Sequence, residues 1–272
     1  MTAGSEYALG HSDRELNRLS AQARVIEPIT RQYFREAGIG LGMRVLDVGS
    51  GVGDVAFLLA DLVGTAGQVV GVDRATDALA VARGRAAADC RHNVSFLEGD
   101  PTALAFERDF DAIAGRYVLQ FQPDPVAMLR GLARHVRPGG IIAFHELDWG
   151  GVASCPPSAT YDQCCGWIVK TLRLLGAEVR MGLKLRSTFV AAGLAEPAMR
   201  LSALVGGGVN GADQLQLVND LVETLLPALE RLGVATAARV DVETLSERIR
   251  REMVSNDSVI VGRWEVAAWS RV

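Results

Sequence analysis

The chain has 272 residues, 49% hydrophobic and 22% charged, which fits a globular protein with a sizeable core and leaves no apolar run long enough to span a bilayer. Its formal net charge of −4 argues against a nucleic-acid partner, because such binders carry a basic patch or stripe. Cys90, Cys155, Cys164 and Cys165 lack the paired spacing of a zinc site and read as buried thiols.

The opening MTAGSEYALGHSDREL has no basic stretch leading into an apolar core, so neither a secretory nor a transit signal is expected and a cytoplasmic location follows. Ser12 with Glu15 three residues later forms a capping-box pattern. Leu16, Leu19, Ala23 and Ile26 then recur at helical intervals. This predicts an amphipathic helix, broken near Pro28 and resumed to about Ala37. From Met43 the pattern alternates. Strands are predicted at Arg44–Val48, Gln68–Asp73, Val94–Glu98, Phe110–Ala114 and Gly140–Glu146, with helices at about Gly53–Leu62, Thr76–Ala87 and Pro125–Val136. The RPGG at Arg137–Gly140 is read as the turn into the fifth strand. After Gly150 come helices around Thr160–Leu175 and Ser187–Ala192, a strand around Ala198–Val205, helices at Gln214–Leu232 and Val242–Met253, and a closing strand in SVIVGRWEVAAWSRV. Strand–helix alternation implies a doubly wound, mostly parallel α/β sheet. We expect seven strands, an N-terminal helical lid over residues 1–42, and a domain at 43–272 carrying a helical cap insertion at about 208–256.

The stretch RVLDVGSGVGDVAFLLA, Arg44 to Ala60, sets three glycines between an apolar strand and an apolar helix. Glycine suits a backbone that must turn sharply or pass close to a ligand, and the following helix presents free N–H groups at its start. The spacing is GxGxG rather than the GxGxxG of dinucleotide-binding proteins, and Asp47 closes the strand just before it. Both features weigh against NAD and FAD.

DxGxGxG after a first strand resembles the S-adenosylmethionine (SAM) site of class I methyltransferases, and the resemblance continues from about Met43 to Glu146. Asp73 ends the second strand in VVGVDRA, where that family places an acid on the ribose hydroxyls. Asp100 in FLEGDPTAL stands where the family's acid meets the adenine amino group. DFDAIAGRYVLQFQPDP and MLRGLARHVRPGG resemble the fourth strand, the helix after it and the entry to the fifth. The resemblance implies a cofactor set of Asp47, Gly49, Ser50, Gly51, Gly53, Asp73, Arg74, Asp100 and Pro101, with Arg116 and Tyr7 at its edges, and implies SAM as cofactor with S-adenosylhomocysteine as product. Asp47 either orients the loop or reaches the methionine amino group.

The sulfonium makes its methyl group electrophilic, so the protein must chiefly align a nucleophile and exclude water, with a base needed where the acceptor arrives protonated. The ends of strands four and five, AGRYVLQF and FHELDWG, offer Arg116, Tyr117, His145 and Glu146 as catalytic candidates. Asp148, Trp149 and His11 are substrate candidates. Glu146 is equally readable as a loop cap and His145 as a satisfied core residue. No NPPY-like tetrapeptide follows strand four, and Arg116 stands where metal-dependent catechol enzymes would need an acid. No metal is therefore expected. A lid and a cap favour an enclosed small-molecule acceptor, aromatic or heteroaromatic of phenol or indole type, as in secondary metabolism. The alternatives are a quinone or lipid-like C-methyltransferase, or a non-catalytic SAM-binding or RNA-associated protein. A homodimer is allowed for, with no membrane partner.

Overall fold

The computed structural model describes residues 13–207 and 212–272; Tyr7, His11 and the Ser12 cap lie outside the described residues. In chain order the elements are α1 (Asp13–Ala37), β1 (Arg44–Val48), α2 (Asp54–Val63), β2 (Gln68–Asp73), α3 (Thr76–Ala88), β3 (Val94–Glu98), β4 (Phe110–Arg116), α4 (Pro125–Leu132) and β5 (Val136–Asp148). There follow β6 (Ala153–Cys155), α5 (Ala159–Leu174), α6 (Met181–Ala191), β7 (Ala198–Gly207), α7 (Ala212–Arg231), α8 (Ala237–Val240), α9 (Val242–Asn256) and β8 (Val259–Arg271). The strands hydrogen-bond in the order β3-β2-β1-β4-β5-β8-β6, with β7 also on β8. The fold class is the expected doubly wound α/β sheet. Among the described residues it has eight strands rather than seven, because three-residue β6 is too short to show an alternation in sequence.

The chain divides into two compact units. One holds Ile26–Glu146, Met181–Leu201 and Glu265–Val272; the other holds the described residues up to Val25, Leu147–Arg180 and those of Ser202–Trp264. In the first unit β1 lies between β2 and β4 in parallel register, and β4 runs parallel to β5. Val45, Val69, Ala112, Ala114, Ile141 and Ala143 share one core with Phe34 and Ala37 of α1, most of α2, and Leu79 and Ala82 of α3. Alternation along each strand sends Leu46, Val48, Ile113 and Ile142 to the opposite face, where they are also buried. Both faces are covered, so the central strands are apolar on both sides rather than half polar.

Three expectations are corrected. Helix α1 runs through Pro28 without a break. The ring removes one backbone bond, but the next turn is held by the burial of Ile26, Tyr33 and Phe34 and by Thr30 Oγ1 donating to the Ile26 carbonyl at 3.2 Å. The RPGG segment lies inside β5, its end tied to the end of β8 by the Gly139 N–H to Val272 O bond of 2.7 Å. Cys90 and Cys155 are exposed, and only Cys164 and Cys165 are buried.

In the second unit α5, α7 and α9 pack on one another. Glu252 of α9 accepts from the Ser158 hydroxyl at 2.8 Å and the Thr160 N–H at 3.0 Å, satisfying the start of α5. The helices expected as an insertion at 208–256 therefore share their core with α5, which precedes that range. Among the described residues no helix is long and apolar enough to cross a membrane.

Candidate cofactor and catalytic site

Strand β1 runs straight into the glycine loop. Gly49, Gly51 and Gly53 have φ of 68°, 50° and 93°, the left-handed region that side chains disfavour. At Gly49 a Cβ would also meet Val118 Cγ2 at 2.8 Å, whereas at Gly51 it would meet nothing within 4 Å. The loop is thus packed from behind at its first glycine and open at its second.

Asp47 sits beneath this loop, fully buried. Burial drives its pKa well above the carboxylate range; Arg116 pulls it back, and the Ala56 N–H does so only weakly. Neither carboxylate oxygen makes a hydrogen bond of standard geometry among the described residues, and neither does the buried Ser50 hydroxyl. Buried polar atoms are nearly always satisfied, so two orphans at one glycine loop mark a place for a polar ligand. An ammonium beside Asp47 would supply the missing charge partner. SAM carries such a group, and these residues fit it.

Asp73, at the end of β2, accepts from the Gly51 N–H at 2.8 Å and the Ala75 N–H at 2.9 Å. One carboxylate thereby ties the open glycine to the head of α3, and each oxygen keeps a second acceptor site. Asp100 accepts from the Thr102 N–H at 2.9 Å, the Thr102 hydroxyl at 2.7 Å and Arg74 at 2.6 Å. Those bonds hold its carboxyl below the usual range against the opposing effect of partial burial. Arg74 and Asp100 thus meet as a pair, and Pro101 is buried behind them.

The register of the parallel strands organises the other end of the site. Asp47 pairs with Ala114 and Arg116 with His145. Asp47, Arg116 and His145 therefore share the face that carries α1 and α2. Arg116 Nη1 donates to Thr30 Oγ1 at 3.2 Å. The same hydroxyl lies 3.2 Å from His145 Nδ1, and His145 Nε2 lies 2.9 Å from Glu265 Oε2. The Tyr117 hydroxyl donates to that Glu265 oxygen at 2.6 Å, and the Tyr33 hydroxyl donates to the Glu265 carbonyl at 2.8 Å. Tyr33 and Tyr117 both make T-shaped ring contacts with the imidazole. His145 and Glu265 are buried while Arg116 and Tyr117 are partly exposed. Tyr117 has φ of 60°, a left-handed conformation costing on the order of 1–2 kcal/mol in a non-glycine residue. Its N–H donates to the His145 carbonyl at 2.8 Å, which holds the turn.

Glu146 points to the opposite face. Its Oε1 accepts from the Val118 and Leu119 N–H groups at 2.8 and 2.7 Å, and its Oε2 from Gln120 at 3.3 Å. Burial pushes its pKa up to about 8 despite these donors. It anchors the 3-10 turn Leu119–Phe121 that follows β4.

Asp148 and Trp149 belong to the other unit. Asp148 accepts from Arg180 Nε at 2.7 Å and from the Gly150 N–H at 2.9 Å, and the Arg263 guanidinium lies 5.8 Å from the centre of the Trp149 ring. The structure thus brings Asp47, Arg116, Tyr117 and His145 into one row and leaves Glu146 out of it, while Asp148 and Trp149 lie in the other unit. Thr30, Tyr33 and Glu265 join the row without having been singled out in the sequence. The one signal pointing to Glu265 was a charged residue inside an apolar closing strand.

Residues 39–175, just over half of the chain, match the family described as "Methyltransferase domain". A demethylmenaquinone methyltransferase of Lactococcus lactis is 35% identical over 106 residues, 39% of this chain and 42% of the relative. A 2-phytyl-1,4-naphtoquinone methyltransferase of Synechococcus elongatus is 43% identical over 112 residues, 39% of this chain and 46% of the relative. The chain thus spans under half the length of these curated relatives. In fold it is similar to the YcgJ protein of Bacillus subtilis, with a TM-score of 0.56 at 17% identity over 87% of this chain and 95% of that one. The open glycine loop, the orphaned acid beneath it and the family match lead to one statement: the chain belongs to the methyltransferase-domain family, in its class I, SAM-dependent form.

Proposed function

We propose that the chain transfers a methyl group from SAM to a small molecule of the hydroxylated-quinone class, a reduced naphthoquinone-like ring. The observation that carries the cofactor half is the buried Asp47 carboxyl, whose oxygens make no hydrogen bond of standard geometry among the described residues, beneath a glycine loop open at Gly51. In this reading Asp47 receives the methionine ammonium, and the backbone of Gly49, Ser50, Gly51 and Gly53 cradles the ligand. Asp73 faces the ribose hydroxyls, with Asp100, Pro101 and Arg74 on the adenine side. Arg116 and Tyr7 close the edge. Bound SAM supplies an electrophilic methyl group on sulfur, which needs an electron-rich acceptor but no metal.

The acceptor half is supported by the names of the two relatives above, both quinone methyltransferases. They favour a quinol over the phenol or indole type that the sequence led us to expect. A quinol arrives protonated, so it needs the proton-handling groups that line the ends of β4 and β5. His11, Asp148 and Trp149 are proposed substrate contacts.

Calorimetry of SAM binding, followed by transfer of a labelled methyl group to 1,4-dihydroxynaphthalene, simple phenols and indoles, tests this reading. Saturable SAM binding and preferential labelling of the quinol are expected. Preferential labelling of a phenol or indole would reverse the choice of acceptor, and absence of SAM binding would remove the reading altogether.

A further inference from the structure

The row Tyr117, Glu265, His145 and Thr30 has a definite hydrogen-bond logic. Glu265 Oε2 receives the Tyr117 hydroxyl at 2.6 Å and lies 2.9 Å from His145 Nε2. A carboxylate can only accept, so the Nε2 facing it carries the proton. His145 Nδ1 then accepts from the Thr30 hydroxyl, 3.2 Å away, which exchanges its bond to the Ile26 carbonyl for this one. Arg116 donates to the same Thr30 oxygen and fixes it from the other side. Among the described residues Glu265, at 1% exposure, thus sits between these two side-chain donors, one of which is partly exposed. That one is Tyr117, whose strained backbone aims it at the carboxylate.

We infer that Glu265 is the proton acceptor of the reaction, reached through the Tyr117 hydroxyl, with His145 and Thr30 as positioning residues. This rests on the methyltransferase reading with a hydroxylated acceptor. In the step, the acceptor O–H bond breaks and its proton bonds to Tyr117 Oη while the Tyr117 Oη–H proton moves to Glu265 Oε2. The acceptor is left as an anion with its electron pair ready for the methyl group, and Glu265 passes from anion to neutral acid, so charge is conserved. His145 keeps its Nε2 proton on the carboxylate throughout. Among the described residues, the charged and titratable groups facing the row include Arg116 from β4 with Asp47 of β1 acting on it, Tyr33 from α1, and Glu146 from β5, whose pKa Glu265 helps to raise.

The test compares wild type, Tyr117→Phe and Glu265→Gln in SAM binding and in the pH profile of kcat, using 1,4-dihydroxynaphthalene and its more acidic 2-chloro derivative under reducing conditions. Both substitutions keep volume, and Tyr117→Phe removes only a hydroxyl, so it remains informative if Glu265→Gln folds poorly. Tyr117→Phe is expected to lower kcat by roughly 100-fold with SAM affinity within about threefold. Its rate should climb with pH and be largely restored by the more acidic acceptor, since an acceptor that ionises unaided bypasses the relay. A purely structural role would depress both acceptors equally and leave the profile unmoved. If SAM binds and the quinol is methylated but Tyr117→Phe matches wild type, or loses activity equally on both acceptors, the relay is refuted and the methyltransferase reading stands. If SAM binds and no hydroxylated ring is methylated, the acceptor reading falls and takes the relay with it.

Discussion

His145 Nε2 and Glu265 Oε2 lie 2.9 Å apart, both essentially inaccessible to water, and join positions 120 residues apart in the chain. Removing one member of such a pair strands the other in a low-dielectric interior, whereas removing both need not. Glu265→Ala should therefore leave the buried His145 Nε2–H without its acceptor and destabilise the protein by about 1–3 kcal/mol. The double variant His145→Leu, Glu265→Leu should be more stable than Glu265→Ala. Urea unfolding of the three proteins measures this. A single variant within about 0.5 kcal/mol of wild type would mean that the pair does not contribute as a unit.

SAM binding should release a proton. The free Asp47 carboxyl is held protonated to an unusually high pH by burial, and an ammonium placed beside it favours the ionised form. Affinity should therefore rise with pH until the free-state pKa is passed, then level off. The observed binding enthalpy should vary with the ionisation enthalpy of the buffer. Asp47→Asn should bind SAM at least ~10-fold more weakly and lose this buffer dependence. Identical enthalpies in phosphate and Tris for wild type would place the ammonium elsewhere.

Much of this was legible in the sequence, and the limits have physical causes. β1, β2 and β3 fall at the predicted residues because each is a short β-rich run closed by glycine or acid. The cofactor loop was legible for the same reason: its glycines and its acid are local signals. Arg116 and His145 could be named because both lie near the ends of the strands expected from sequence, but their alignment needed the β4–β5 register. Glu265 was out of reach. It comes beside His145 only because the last strand inserts next to β5, a long-range pairing that no local pattern encodes. Thr30 was hidden because a threonine in a helix ordinarily bonds its own backbone, and the Ile26 carbonyl lies within the same 3.2 Å reach of its hydroxyl as His145 Nδ1. The continuous α1 shows tertiary burial overriding a proline that local propensity reads as a break.

Glu146 should prove structural, and its titration should run opposite to that of an ordinary salt-bridged acid. With its pKa raised to about 8 in the folded protein, the protonated form is the one that folding favours. The stabilisation is fully present below the carboxylate pKa of the unfolded chain and is lost as pH rises through about 8. Oε1 takes the two short bonds as a carbonyl would, so Glu146→Gln keeps both and stays neutral like the protonated acid, losing only the long Gln120 bond to Oε2. Its stability relative to wild type should increase between pH 5.5 and pH 8.5, roughly the span over which the wild-type acid ionises. Glu146→Ala leaves buried N–H groups at Val118, Leu119 and Gln120 unsatisfied and should cost about 3 kcal/mol. Denaturant titrations at the two pH values measure both effects, and a pH-independent difference between wild type and Glu146→Gln would contradict the assignment.

The two outer conditions of the glycine loop can be separated by alanine. At Gly49 the added methyl group would collide with Val118 at 2.8 Å in a backbone with φ of 68°, so Gly49→Ala must displace packed structure. A loss of about 2–3 kcal/mol in stability is expected. At Gly51 nothing stands within 4 Å, and only the left-handed φ of 50° opposes the change, a cost of about 1 kcal/mol. The methyl group there instead projects into the open side of the loop, where the proposed ligand lies. Gly51→Ala should thus melt only a few degrees below wild type, about what 1 kcal/mol produces in a chain of this size, yet bind SAM at least ~10-fold more weakly by calorimetry. If Gly51→Ala binds SAM as wild type does, the open side of the loop is not where the cofactor rests, and the assignment of this loop must be withdrawn.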